Sequence, residues 1–156
     1  MPTQQWLETK IPPPVVMVLV AAMMWIFARC NSAAHFYFPR QVEIAISIAI
    51  IGLLLMVFAI AAFIQADTTV NPLQPVMAKR LLTEGVFAFS RNPIYLADVL
   101  MLTAWLVWLG NFLNIIGLVL FVAYISRFQI LPEERAMKQL FGEEYEHYCR
   151  KVRRWL

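Results

Sequence analysis

The sequence predicts an all-α, polytopic membrane protein. About four transmembrane helices form two hairpins, followed by a cytoplasmic amphipathic C-terminal helix. Three observations predict this. Of the 156 residues, 61% are hydrophobic and only 15% charged, and the mean hydropathy is +0.65, far too apolar for a soluble domain of this length. Apolar runs of roughly membrane length recur between short polar segments. The Lys and Arg residues lie unevenly about those runs. The length suits one membrane domain, residues 1–156, made of an N-terminal helical hairpin (1–66) and a second half (67–156).

Taken in order, the first ten residues carry one Lys and one Glu with no small-residue cleavage site, so no signal peptide is expected. The first span is predicted over Ile11–Ala28, with Pro12, Pro13 and Pro14 marking its entry because proline fits only the first helical turn. A polar loop with Arg29, Asn31, His35 and Arg40 follows, and Glu43 suits the N-terminal dipole of the next helix. The second span, Ile44–Ile64, has no charge. Thr68 to Pro75 is turn-forming, and Lys79-Arg80-Leu81-Leu82 reads as a short interfacial helix stopping at Gly85.

The third span is predicted over Pro93–Leu109, with Asp98 inside it. Gly110-Asn111 is a tight turn that makes spans three and four antiparallel. The fourth span runs from Phe112 to about Leu131 and ends wet, at Ser126, Arg127 and Gln129. Pro132 should break or kink it, and Glu133–Leu156 forms a charged amphipathic helix interrupted near Gly142. With four spans both termini share a side, and 11 of the 13 Lys and Arg residues fall on it. That asymmetry predicts an inner-membrane protein with both termini cytoplasmic.

Two constellations meet at one membrane level. In Ser90-Arg91-Asn92-Pro93-Ile94-Tyr95 a fixed cation, an amide and a phenol stand at the mouth of span three. A snorkelling arginine and an interfacial tyrosine would account for it structurally, whereas polar groups at the edge of hydrocarbon also mark binding sites. Just past span four stand Glu133 and Glu134. They read either as members of a solvated helix, with Glu134 pairing Lys138 at i,i+4, or as acids awaiting a cation. Asp98 faces the bundle if it shares Tyr95's side, with Arg127 as an expected partner. Cys30 and Cys149 form no C-x-x-C, and His35 and His147 are expected on opposite sides, so no metal centre is predicted.

Together these pieces resemble the integral membrane methyltransferases that include isoprenylcysteine carboxyl methyltransferases and phospholipid methyltransferases. The matching stretches are Thr69-Val70-Asn71-Pro72, Gly85 to Leu96, Gly110-Asn111, Glu133-Glu134, and Phe141-Gly142-Glu143-Glu144-Tyr145 with Tyr148 and Val152 to Trp155. They cover roughly residues 67–156, making that half the catalytic, cofactor-binding one. The resemblance implies S-adenosyl-L-methionine as cofactor, held at the cytosolic face by Arg91, Asn92, Pro93, Tyr95, Leu96, Glu133 and Glu134, with Tyr145 and Tyr148 closing over it. It also implies a lipid-like acceptor arriving from the bilayer. Asn92 and Ala97 stand where many eukaryotic carboxyl methyltransferases have His and Gly, which places the chain nearer the bacterial branch. Because the chain ends at Leu156, no further acceptor-binding tail is expected.

Methyl transfer from a sulfonium asks the protein to align, desolvate and, for an amine, deprotonate. On this reading Arg91 or Arg154 steers a carboxylate acceptor, while Glu134 or Asp98 takes the proton of an amine. No nucleic acid or metal partner is implied. A sterol-reductase-like membrane protein using NADPH shares an Arg-x-Pro-x-Tyr element and is the nearest alternative. The paired acids suit a cationic cofactor better than a polyphosphate. A non-catalytic scaffold would explain the apolar spans and the basic tail, but not the polar clusters at one depth.

Overall fold

The computed structural model describes residues 10–66 and 80–156. Five helices carry the architecture of these residues: α1 Pro13–Cys30, α2 Gln41–Gln65, α3 Pro93–Leu109, α4 Asn114–Ile125 and α5 Leu131–Lys151. A π-helical turn, Ser126–Ile130, joins α4 to α5 without a break. The protein is all-helical, as the sequence predicts. Among the described residues α1, α2 and the continuous α4–α5 rod are long and apolar enough to cross a membrane. The 17-residue α3 is a shorter apolar helix, about 26 Å long at 1.5 Å per residue.

Along its apolar length α2 buries only small residues, so α2 and α3 approach closely. Ala45, Gly52 and Ala59 are buried seven residues apart, two turns of helix each time. A Cβ at Gly52 would stand 3.1 Å from Leu100 Cβ and 3.3 Å from the Ala97 carbonyl. Small residues permit this backbone approach in hydrocarbon, where dispersion contacts and not water drive helix association. The outer faces keep large apolar side chains exposed, among them Ile50, Leu53, Val57 and Phe58, which is a lipid-facing surface. The interior gathers Met24, Tyr95, Leu102, Phe121, Ile125 and Ile130.

At one end of the bundle side-chain amides stitch the loops. Asn111, fully buried, donates to the Asn31 carbonyl at 2.8 Å and accepts from the Leu113 N–H. Gln41 donates to Val107 O at 2.6 Å, so α2 begins three residues earlier than its apolar run. Gly110 caps α3 in the left-handed conformation, φ 58°, and its carbonyl accepts from Phe36 N–H. A Cβ there would lie 2.6 Å from Phe36 O and 2.7 Å from Gln41 Nε2. Gly110→Ala is therefore expected to cost at least ~2 kcal/mol, from backbone strain plus collision with polar atoms that cannot retreat. Thermal unfolding in detergent measures it, and an unchanged midpoint would remove Gly110 from the folding account.

Four local expectations are corrected. The stretch from Arg80 to Thr83 is not helical. Glu84 is extended, and Gly85, at φ 61°, opens a single 3₁₀ turn, Gly85–Ala88, instead of ending a helix. Lys79 and the turn-forming Thr68 to Pro75 lie outside the described residues. Pro132 does not break the rod, because the wide π turn before it relieves the ring's clash with the preceding turn. The extra residue of that turn draws Gln129 inward, so it is buried rather than wet, and it donates to Ile11 O at 2.7 Å. Among the described residues no ion pair joins Asp98 to Arg127. Asp98 is buried in α3, while the Arg127 guanidinium lies over the Phe128 ring.

Candidate active site

The opposite end of the bundle brings the two constellations together. Pro93 begins α3, and its missing N–H costs nothing at that position. Asn92, the residue before it, donates its side chain not to the helix but to Arg154 O at 2.9 Å. The Arg91 N–H reaches Arg153 O at 3.1 Å. Two consecutive residues at the mouth of α3 thus bind two consecutive residues after α5, and this fixes the returning tail over the cluster. Leu96, half-buried, donates its N–H to the Asn92 carbonyl in the first turn.

Glu134 is the centre of the charge arrangement. Its Oε1 lies 3.1 Å from Arg91 Nη2 and accepts from Arg154 Nε at 2.9 Å, and Oε2 accepts from Arg154 Nη2 at 2.7 Å. These bonds raise the Arg154 pKa above its ordinary value, first through hydrogen bonding to Glu134. Arg91 Nη1 donates to Cys149 Sγ, while Arg91 Nε is buried without a partner among the described residues. Tyr95, buried in the first turns of α3, donates its hydroxyl to Glu133 Oε1 at 2.5 Å. The two neighbouring acids therefore do different things: Glu133 takes a phenol and Glu134 takes two guanidiniums.

Beside Glu134 opens a cleft of about 440 Å³, lined by Arg91 and two sets of α5 residues. Leu131, Glu134, Arg135 and Lys138 form one wall, and Tyr145, Glu146, Cys149 and Arg150 the other. The volume lies within the usual small-molecule range. Of the residues singled out from sequence, Arg91, Glu134 and Tyr145 line this cleft, with Arg154 bonded to its Glu134 wall. Tyr148 does not line it. Its hydroxyl donates to Phe87 O at 2.6 Å and its ring packs on Tyr145, so it ties α5 to the 3₁₀ turn. Glu134 does not pair with Lys138. The break at Gly142 re-phases α5 so that Lys138 meets Glu146 at 2.7 Å.

Sequence reading missed Cys149, Glu146 and Arg150. The available signal was the i,i+4 recurrence of 134/138, 145/149 and 146/150, which stacks each pair on one helical face. Reading Cys149 as an isolated thiol hid its place four residues after Tyr145.

An apolar helical bundle with a charged cleft at one end, and a C-terminal tail tied down beside it, is the architecture of a membrane protein. The family model described as phospholipid methyltransferase matches residues 41–144, and the chain belongs to that family. Protein-S-isoprenylcysteine O-methyltransferase of Schizosaccharomyces pombe is 34% identical over 74 residues, 46% of this chain and 30% of that enzyme. An uncharacterized protein of Haemophilus influenzae is 48% identical over 63 residues, 40% of this chain and the whole of that protein. No solved structure matches. The chain is thus a membrane protein of a methyltransferase family. Tyr145, Tyr148, Cys149 and Arg154 lie beyond the family-matched residues.

Proposed function

We propose that the protein is an S-adenosylmethionine-dependent methyltransferase acting on a lipid-like or small amphipathic acceptor at the cytoplasmic face of the inner membrane. One observation carries the reading: Arg91, Glu134 and Tyr145 converge on a single cleft, and Arg154 of the polar tail bonds its Glu134 wall. The uneven spread of cations supports a cytoplasmic position for this end. The family supports methyl transfer as the chemistry.

The cleft's donor set fits the cofactor. Arg91 presents a guanidinium, with one buried N–H still unpaired, to a carboxylate. Glu134 receives three bonds, and a carboxylate offers about four acceptor sites, so one remains for an ammonium. Tyr145 and Leu131 offer aromatic and aliphatic cover to a purine. When bound, the cofactor supplies an electrophilic methyl group on a sulfonium. The chain's own residues then align and desolvate the acceptor, which is where effective molarity is gained. A carboxylate acceptor is steered by Arg91 or Arg154. An amine acceptor loses its proton to Glu134, the acid on the cleft wall.

The test is transfer of labelled methyl groups. Purified protein given labelled S-adenosylmethionine and a membrane lipid extract should move label into the organic phase. Retention of all label in the aqueous phase, with every extract and small amphipathic thiol tried, would contradict the reading.

A further inference from the structure

We propose that Gly142 is the hinge of a two-limbed clamp and that the Lys138–Glu146 ion pair is its latch, so that the backbone at one residue sets the width of the cleft. The proposal rests on the reading above in assigning the cleft to the cofactor.

The two walls of the cleft belong to one helix. Residues 131–138 supply one wall and residues 145–150 the other, and Gly142 lies between them. A straight helix cannot enclose space between its own successive turns. It does so here because Gly142 leaves helical geometry, at φ 51° and ψ −121°. That conformation matches the first corner of a type II′ turn, which glycine adopts freely and L-residues adopt at a cost. A Cβ at Gly142 would meet nothing within 4 Å. The position is therefore not glycine for lack of room. It is glycine for its backbone angles, which fold the second limb back toward the first.

Three contacts hold the limbs in this relation. Lys138 Nζ meets Glu146 Oε1 at 2.7 Å across the bend, with both side chains largely exposed. Arg91, at the base, bonds Glu134 on the first limb and Cys149 on the second. Tyr148 anchors the second limb to Phe87 O. The exposed pair is the weakest of these, which suits a latch that opens without unfolding the protein. In this scheme Gly142 is a positioning residue: it touches no ligand, and acts by setting how far Tyr145 and Cys149 stand from Glu134.

Cys149 reports the clamp directly, because it lies on the second wall. In a Cys30→Ser background, which removes the exposed thiol, the rate at which a maleimide alkylates Cys149 in detergent-purified protein measures opening without any ligand. Glu146→Gln should raise that rate about two- to fivefold, the range an exposed ion pair permits. Exchanging the charges, Lys138→Glu with Glu146→Lys, should return it to within about twofold of the parent. Gly142→Ala favours a straight helix and should raise the rate at least about fivefold.

Rates unchanged by Glu146→Gln and by the exchange would overturn the latch. An unchanged rate in a Gly142→Ala protein that keeps its thermal transition would overturn the hinge, and the latch variants decide the matter if that protein does not fold. S-adenosylhomocysteine should slow alkylation of the parent. If it does not, while the variants behave as stated, the assignment of the cleft to that cofactor fails and the clamp stands.

Discussion

Glu134→Gln is expected to weaken S-adenosylhomocysteine binding at least about a hundredfold and to reduce methyl transfer at least as much. The carboxylate is the common partner of Arg91 and Arg154, through contacts of 3.1, 2.9 and 2.7 Å. Glutamine has nearly the same shape but one acceptor oxygen, no charge and an NH₂ that points donors at donors. Two guanidiniums would then face each other across a neutral amide. Breaking a largely buried pair by removing one partner costs ~3 kcal/mol of folded-state stability, and binding that needs the pair assembled loses the same amount, a factor of about 150. The tail, held partly by Arg154, should loosen as well. Isothermal titration of the variant measures the first effect, and unchanged affinity would move the cofactor away from Glu134.

Arg91→Lys is the second large expected effect, a loss of about 10- to 100-fold in methyl transfer at retained positive charge. The guanidinium makes two divergent contacts, to Glu134 and to Cys149, one on each wall of the cleft. An ammonium is a single point of charge on a flexible stem and cannot span both walls. The backbone bond from residue 91 to Arg153 O is kept in the variant, so the tail stays in place and the effect belongs to the side chain. Because Arg91 and Glu134 act through each other, the double variant with Glu134→Gln should lose less than the sum of the two free-energy losses. Strict additivity would mean that the two residues serve separate sites.

The all-helical fold, Pro93–Leu109 to the residue, the Gly110 turn and the interruption at Gly142 were legible in the sequence. Each has a local cause: a proline at a helix start, a glycine at a positive φ, an unbroken apolar run. The junction of α4 and α5 was not legible. A proline at the end of an apolar run reads as a break, and nothing local announces that a π turn will absorb it and turn Gln129 inward. The site was half legible. Arg91, Tyr95, Glu133 and Glu134 announced themselves as polar groups at the edge of hydrocarbon. Their partnerships did not, because they join residues far apart in the chain: Tyr95 to Glu133, Glu134 to Arg154, Arg91 to Cys149. The Glu134–Lys138 pairing expected from i,i+4 spacing lost to two guanidiniums brought in by tertiary structure.

On the function proposed above, the cleft between the α3 mouth and the bent α5 takes a sulfonium cofactor. Calorimetric titration of the detergent-purified protein with S-adenosylhomocysteine, with NADPH run in parallel, tests it most directly. Saturable one-to-one binding of S-adenosylhomocysteine is expected, with no heat of binding from NADPH. Saturable binding of NADPH alone would contradict it and assign the cleft to a membrane reductase.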